Sequence, residues 1–314
     1  MPNIDVKHDL VFADLGARPL KLDVFAPSGS SNGTALLMLH GGAWERGSKD
    51  VLAPHAEDLA AQGFVTITSK YRLTGEARFP AQIHDVKRAL RWVRSHASSI
   101  GFDSDRLCVE GHSAGGRLAL LPAGSPFDRR LDAPGGNGGI SAAVAAVVAV
   151  YQPVLFHIGD DQTWGSAPAS ALPGADSSEA MGALASPIEQ VNPNLPPVML
   201  LHGDADKVEP VSTSLRYAER VRAVGRPVDR HLFAGLPHGF GNRPHFRPVM
   251  MGVDRRLLPP NRRRARSLRF RPLLRRVGRR GVSVSPIAAM PGSKSCLAFN
   301  VSFGPAHHGP RTYP

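Results

Sequence analysis

Two hydrophobic periodicities alternate along residues 20–233. Short apolar or β-branched runs predict strands, and runs that are apolar at successive positions are typical of parallel strands buried on both faces. These runs are Leu20–Ala26, Ala35–Leu39, Phe64–Ser69, Arg106–Glu110, Val198–Leu201 and Val228–Phe233. A further run, Ala142–Val150, fits a strand or a buried helix, and its place among helices favours the strand.

Helical periods lie between these runs. The clearest is Ala81–Ser98, in which apolar residues recur at steps of three or four. Further helices are predicted at Val51–Gln62, at Ser113–Leu121, which Pro122 should end, and at Val211–Val224. Strands that alternate with helices predict βαβ units, and therefore an α/β fold with a mostly parallel sheet.

Charge is distributed unevenly along the 314 residues, of which 42% are hydrophobic and sufficient for a large core. The net charge is +12, but residues 244–314 hold 15 Lys or Arg and one acid, Asp254, whereas residues 1–243 hold 23 basic and 25 acidic side chains. The nearly neutral body therefore gives no reason to expect nucleic-acid binding.

The hydrophobic periods end near residue 253. We interpret residues 1–253 as the α/β domain and residues 254–314 as an Arg- and Pro-rich tail with no predicted fold. Because the tail is dense in Arg and Pro and has no period, our hypothesis is that it is disordered, or is translated in a shifted frame of GC-rich DNA.

No run of eighteen apolar residues predicts a membrane span, and the N-terminus lacks the charged start and apolar stretch of a signal peptide. Cys108 and Cys296 show neither a disulfide framework nor metal-ligand spacing. We therefore expect a cytoplasmic protein that uses no metal ion and no other cofactor.

A nucleophile motif occupies residues 111–116, Gly-His-Ser-Ala-Gly-Gly. It contains G-x-S-x-G between a predicted strand and a predicted helix, where a tight turn holds the Ser113 hydroxyl clear of the sheet. The backbone N–H of Ala114, at the helix N-terminus, then faces the oxyanion of a reacting carbonyl. A glycine-rich turn with a helix-capping serine is the alternative.

A second glycine-rich turn, His40-Gly41-Gly42-Ala43-Trp44, follows the strand Ala35–Leu39. Its small residues are suited to bring backbone N–H groups together around an anion, although Gly-Gly is also common in ordinary turns. Trp44 and His112, each beside one of these motifs, are candidates for substrate contact, with core packing as the alternative for Trp44. Phe156 and Trp164 are candidates to line an apolar cleft or the core.

Two further loops supply an acid and a base. The turn after Val198–Leu201 offers Asp204 and Asp206, at the strand end where α/β sheets place their sites, although Asp is also frequent in plain turns. His238 follows the last predicted strand, and an imidazole can activate a serine hydroxyl near neutral pH. Its position completes the chain order Ser, Asp, His of a hydrolase triad.

As a set, HGGAW, GHSAGG, HGDADKVEP and LPHGF resemble the α/β-hydrolase esterases of the hormone-sensitive-lipase-like and feruloyl- and acetyl-esterase-like groups. The resemblance covers about residues 18–245 and implies a mostly parallel eight-stranded sheet with helices on both faces. It implies Ser113 as the nucleophile, His238 as its base, and the second Asp of the motif, Asp206, as the acid that orients the base.

The same resemblance implies that Gly42 and Ala43 donate backbone N–H groups to the oxyanion, together with Ala114. The chain departs from the family pattern where Ala43 replaces a glycine and where Glu209 precedes Pro210 in the acid loop. It departs again after residue 253, where the family's last helix gives way to the basic tail.

These residues predict a serine hydrolase that cleaves small-molecule carboxylic esters with short-chain or aromatic acyl groups. The same groups serve amide hydrolysis, as in an aryl formamidase or a small peptidase, so that alternative stays open. An alternative of another class is an inactive or binding protein whose basic tail attracts polyanions. Few aromatic residues and no nucleic-acid motif in the tail argue against it.

Overall fold

The computed structural model describes residues 3–16, 18–133, 139–156, 179–248 and 250, and the backbone of residues 282–286 and 299–303. Residues 4–233 contribute eight strands to one sheet: β1 Ile4–Ala13, β2 Leu20–Pro27, β3 Ala35–Leu39, β4 Val65–Ser69, β5 Leu107–His112, β6 Val147–Val150, β7 Val198–Gly203 and β8 Val228–Phe233. Their order is β1-β2-β4-β3-β5-β6-β7-β8. Strands β3 to β8 pair in parallel, and β2 pairs antiparallel with β1 and β4.

Helices cover both faces of the sheet, as predicted. They are α1 Ala53–Ala60, α2 Ala81–Ser95, α3 Ala97–Ile100, α4 Ala114–Gly124, α5 Glu179–Ala185 and α6 Ser212–Ala223. Successive side chains of a strand point to opposite faces. Accordingly, Leu37 and Leu39 of β3 join the apolar cluster that contains residues of α2 and α4, whereas Leu36 and Met38 join the cluster that contains residues of α1.

Two elements differ from the sequence-based expectation. The strand β1 was not predicted, because most of its side chains are exposed and four of its ten residues are charged or His. Helix α4 continues past Pro122 to Gly124, contrary to the prediction that Pro122 ends it. Every residue of α4 is buried, and this packing outweighs the hydrogen bond that a proline removes from the last turn.

The sheet extends beyond β8 by two strands from the C-terminal region, β9 Val282–Pro286 and β10 Phe299–Phe303. Strand β10 pairs with β8 in parallel through Phe299 and Phe233. The other residues of 254–314 lie outside the described part of the chain, so the hypothesis of a disordered or frame-shifted tail stays a prediction. Within the described residues, no helix has the length and apolarity that crossing a membrane requires.

Candidate active site

Ser113 stands on a tight turn between β5 and α4. Its backbone has φ 53° and ψ −119°, a left-handed conformation that is costly for a residue with a side chain. The turn closes because Gly111 and Gly115 touch: a Cβ at Gly111 would lie 2.0 Å from the carbonyl oxygen of Gly115. The backbone N–H of Ser113 donates to Val150 at 2.8 Å, which fixes the turn against β6.

Three side chains from distant loops meet at this turn. The Ser113 hydroxyl lies 2.9 Å from His238 Nε2, and His238 Nδ1 lies 2.7 Å from Asp206 Oδ2. With the proton on Nδ1, the imidazole donates to the carboxylate and its Nε2 accepts from the hydroxyl. Ser113 and His238 are half-buried, whereas the Asp206 side chain is fully covered.

The surroundings of Asp206 keep its carboxylate charged. Burial acts to raise its pKa, but hydrogen bonds from His202, from His238 and from the backbone N–H groups of Glu209 and Val208 outweigh it and hold the pKa below its usual range. Asp204, the competing acid, is exposed and accepts the backbone N–H of Gly235 at 2.6 Å. Of the two candidates, the geometry brings only Asp206 to His238.

The loop after β3 folds back toward the serine. Gly42 has φ 120° and Ala43 has φ 55°. A Cβ at Gly42 would lie 2.1 Å from the backbone oxygen of Arg46, so only glycine fits there. His40 braces the loop, because its Nδ1 donates to the carbonyl of Gly41 at 2.7 Å and its backbone carbonyl accepts from the Tyr71 hydroxyl at 2.8 Å.

Trp44 and His112, the two candidates for substrate contact, are both buried beside the site. Trp44 is 1% exposed, and its indole N–H donates to the carbonyl of Ala114 at 3.2 Å, so it is a packing residue that joins the loop to α4. His112 is also 1% exposed, and its ring nitrogens lie within hydrogen-bond distance of Glu110, Tyr151 and Asn242. Its side chain points into the interior, because Ser113 occupies the exposed apex of the turn.

Sequence reasoning missed three buried residues beside the site. Tyr151 directly follows β6, with its ring centre 4.7 Å from that of His238. Glu110 lies inside the apolar strand β5, where a charged residue is itself a signal of function. Arg117 of α4 contacts the rings of Trp44 and Phe156.

Of the two predicted cleft residues, Phe156 is buried, with its ring centre 5.5 Å from that of Trp44, whereas Trp164 lies outside the described residues. No group of His, Cys, Asp or Glu in the described segments is arranged to hold a metal ion. The geometry thus joins a hydroxyl, an imidazole and a buried carboxylate, the components of nucleophilic acyl transfer.

Comparisons with known proteins identify the family of this chain. The BD-FAE family model matches residues 22–221. The chain is 33% identical to esterase LipC of Mycobacterium tuberculosis, over 65% of its own length and 52% of the relative. It is 32% identical to the probable carboxylic ester hydrolase LipM of the same organism, over 74% of this chain and 56% of that one. The chain therefore spans about half the length of these curated relatives.

A solved structure has the same architecture. The thermophilic esterase Est2 of Thermogutta terrifontis, with propionate bound, superposes with a TM-score of 0.68 at 27% identity. The match covers 82% of this chain and 94% of Est2. It confirms the predicted α/β-hydrolase fold.

Proposed function

The chain belongs to the BD-FAE family, and from this premise we propose that it is a serine hydrolase that cleaves carboxylic esters. Ser113 is the nucleophile, His238 the general base and Asp206 the acid that orients the base. The observation that carries the proposal is the continuous row of hydrogen bonds from Ser113 through His238 to Asp206, at 2.9 and 2.7 Å. A hydroxyl aligned with an imidazole and a buried carboxylate is the arrangement that activates serine.

In the first half of the reaction, the Ser113 oxygen attacks the ester carbonyl while His238 Nε2 takes its proton. The imidazolium so formed is stabilised by Asp206, whose carboxylate stays ionised near neutral pH. The backbone N–H groups of Gly42, Ala43 and Ala114 receive the oxyanion of the tetrahedral intermediate. His238 then protonates the leaving alcohol, and the acyl group remains on Ser113.

The second half repeats these steps with water as the nucleophile. His238 takes a proton from the water as it attacks the acyl carbonyl, and then returns that proton to Ser113 as the acid product leaves. His238 accepts and donates the proton in each step of both halves of the reaction.

The proposed substrates are small-molecule esters with short-chain or aromatic acyl groups. Support for short acyl groups comes from Est2, whose solved structures contain propionate and butyrate. A neutral substrate suits the nearly neutral body of residues 1–243. The proposed location is the cytoplasm, which fractionation of cells that express the full chain would test.

The proposal is tested by covalent labelling of Ser113 together with turnover. We expect a fluorophosphonate probe to label the wild type and to leave Ser113→Ala unlabelled, with p-nitrophenyl acetate hydrolysis lost in the variant. Label retained on Ser113→Ala would refute the nucleophile assignment. Turnover of an aryl formamide at a higher kcat/KM than that of p-nitrophenyl acetate would instead favour amide hydrolysis.

We also propose that residues 1–253 form the catalytic domain and that residues 254–314 take no part in the chemistry. Each proposed catalytic residue lies between Gly42 and His238, ahead of the basic tail. A chain that ends at residue 253 is expected to retain ester turnover and to lose any salt-dependent binding to polyanions. Loss of turnover in a folded truncated chain would place the tail within the catalytic domain.

A further inference from the structure

A row of buried polar side chains lies behind the Ser113 turn. His112 Nε2 lies 2.8 Å from Glu110 Oε1, and His112 Nδ1 lies 3.1 Å from the Tyr151 hydroxyl. Each of the three side chains is at most 1% exposed. Since a buried polar group is costly unless a partner satisfies it, the three residues depend on one another for their placement.

The row ends at the loop that carries His238. The Tyr151 hydroxyl accepts the backbone N–H of Gly241, and Asn242 Oδ1 lies 3.2 Å from His112 Nδ1. A Cβ at Gly241 would lie 3.1 Å from His112 Cε1, so the loop packs directly on the imidazole. The segment that follows His238 is therefore held by the side chain of Tyr151, directly after β6, and packs on the side chain of His112 in β5.

Tyr151 also forms a wall for the catalytic imidazole. Its ring centre lies 4.7 Å from that of His238, with the two planes inclined by 56°. Phe240 supports the other part of the tyrosine ring at 5.3 Å. Tyr151 has φ 41°, a left-handed backbone at the end of β6 that is costly for an aromatic residue and persists only where the surroundings enforce it.

The two ends of the row differ in protonation state. Burial acts to raise the pKa of the Glu110 carboxyl, but the neighbouring His55 and His112 outweigh it and hold that pKa below its usual range. The ionised carboxylate therefore accepts a hydrogen bond from His112 Nε2–H. Burial raises the pKa of the Tyr151 phenol far above its usual value, so the phenol stays protonated beside His112 Nδ1.

On the basis of the proposed function, we propose that Glu110, His112 and Tyr151 are positioning residues that hold the His238 imidazole between Ser113 and Asp206. They act through the imidazole of His238 rather than on the ester itself. The imidazole must keep Nε2 toward the hydroxyl and Nδ1 toward the carboxylate at the same time, which requires a fixed ring orientation. Loosening the wall lowers the share of molecules in this geometry, and so lowers kcat without changing substrate binding.

The test compares Tyr151→Phe with a matched control, Tyr217→Phe, in the full chain. Tyr217 is equally buried, on α6, and its hydroxyl has no hydrogen-bond partner among the described residues. With p-nitrophenyl acetate, Tyr151→Phe is expected to lose about tenfold or more in kcat, while KM stays within about twofold of the wild type. The control is expected to keep both constants.

A second variant, Glu110→Gln, removes the charge at the far end of the row and carries the test if Tyr151→Phe does not fold. It is expected to lower kcat in the same way, while its thermal unfolding shows a folded protein. Unchanged kcat in folded Tyr151→Phe and Glu110→Gln, beside an active wild type labelled at Ser113, would overturn the positioning role alone. A wild type that neither turns over esters nor takes the fluorophosphonate label would overturn the proposed function, and this inference with it.

Discussion

The guanidinium carbon of Arg117 lies 3.8 Å from the centre of the Phe156 ring and 5.0 Å from that of Trp44. Arg117 is fully buried, and burial holds its pKa well below the usual value. Its Nε donates to the carbonyl of Ala185 at 2.7 Å, whereas its two terminal nitrogens have no hydrogen-bond partner among the described residues. Aromatic faces, rather than a carboxylate in the described segments, stabilise this charge beside the oxyanion loop.

Replacing Arg117 by methionine tests how much the buried charge costs. Arg117→Met keeps an unbranched apolar stem against the aromatic rings and removes a charge that is expensive to bury. We expect its free energy of unfolding in urea to stay within about 1 kcal/mol of the wild type or to exceed it. Arg117→Ala leaves a cavity, and we expect it to lose about 2–5 kcal/mol. Equal losses in both variants would show that the charge itself stabilises the fold.

Asp206 and Asp204 form a natural pair for testing the orienting acid. Asp206→Asn keeps the shape of the side chain but no longer stabilises the imidazolium or its tautomer, and we expect kcat to fall by about 10⁴. Asp204→Asn alters an exposed side chain that accepts the backbone N–H of Gly235, in the turn after β8, and we expect kcat to stay within about threefold. Stopped assays on folded variants measure both. If Asp204→Asn lost more kcat than Asp206→Asn, Asp204 rather than Asp206 would be the acid that orients His238.

Much of this site could be predicted from the sequence, because its residues sit at turns whose chemistry is local. Gly111 and Gly115 around Ser113 specify the tight turn directly, and the strand β5 before it has an unbroken buried pattern. The strands β3 and β8 were predicted with the bounds that the structure gives them. For these elements the local period and the glycines carry enough information.

What the sequence did not predict depends on contacts across the fold. The role of His112 is set by Tyr151, which is 39 residues away, and by Asn242, which is 130 residues away. Trp44 is buried because α4 and Phe156 cover it, and neither contact is encoded near residue 44. A side chain next to a nucleophile can face either way, and the tertiary contacts, rather than the motif, decide its direction.

Gly42 and Ala43 are neighbours in the loop after β3, and we expect opposite effects when each is exchanged for the other residue type. Gly42→Ala places a Cβ 2.1 Å from a backbone oxygen, so the loop has to shift and its donors move with it. We expect kcat to fall by about 10²–10³, the effect of losing one oxyanion donor. Ala43→Gly relieves a left-handed backbone, and we expect equal activity and a higher Tm. An inactive but folded Ala43→Gly would contradict this account of the loop.

Glu209 is a buried acid beside the catalytic carboxylate. It is 3% exposed, and its backbone N–H donates to Asp206 Oδ1 at 2.9 Å. Burial, reinforced by the charge of Asp206 and opposed by a hydrogen bond with Thr213, raises the pKa of the Glu209 side chain to about 8. The folded protein therefore holds this proton more tightly than the unfolded chain does.

From this shift we expect stability to fall as the pH rises. Below pH 4.5, the pKa in the unfolded chain, Glu209 is protonated in both states and does not lower the free energy of unfolding. Between pH 4.5 and about 8 only the unfolded chain releases the proton, so the free energy of unfolding falls as the pH rises. The slope of the free energy of unfolding against pH is at most about 1.4 kcal/mol per pH unit for one proton.

Glu209→Gln keeps the side chain neutral at every pH, so its Tm should rise relative to that of the wild type between pH 5 and pH 9. The exposed Glu189→Gln serves as the control and should follow the wild type across this range. If the curves of Tm against pH for the wild type and Glu209→Gln ran parallel, the Glu209 carboxyl would already be ionised in the folded protein. Other groups would then have to neutralise the charge that it adds beside Asp206.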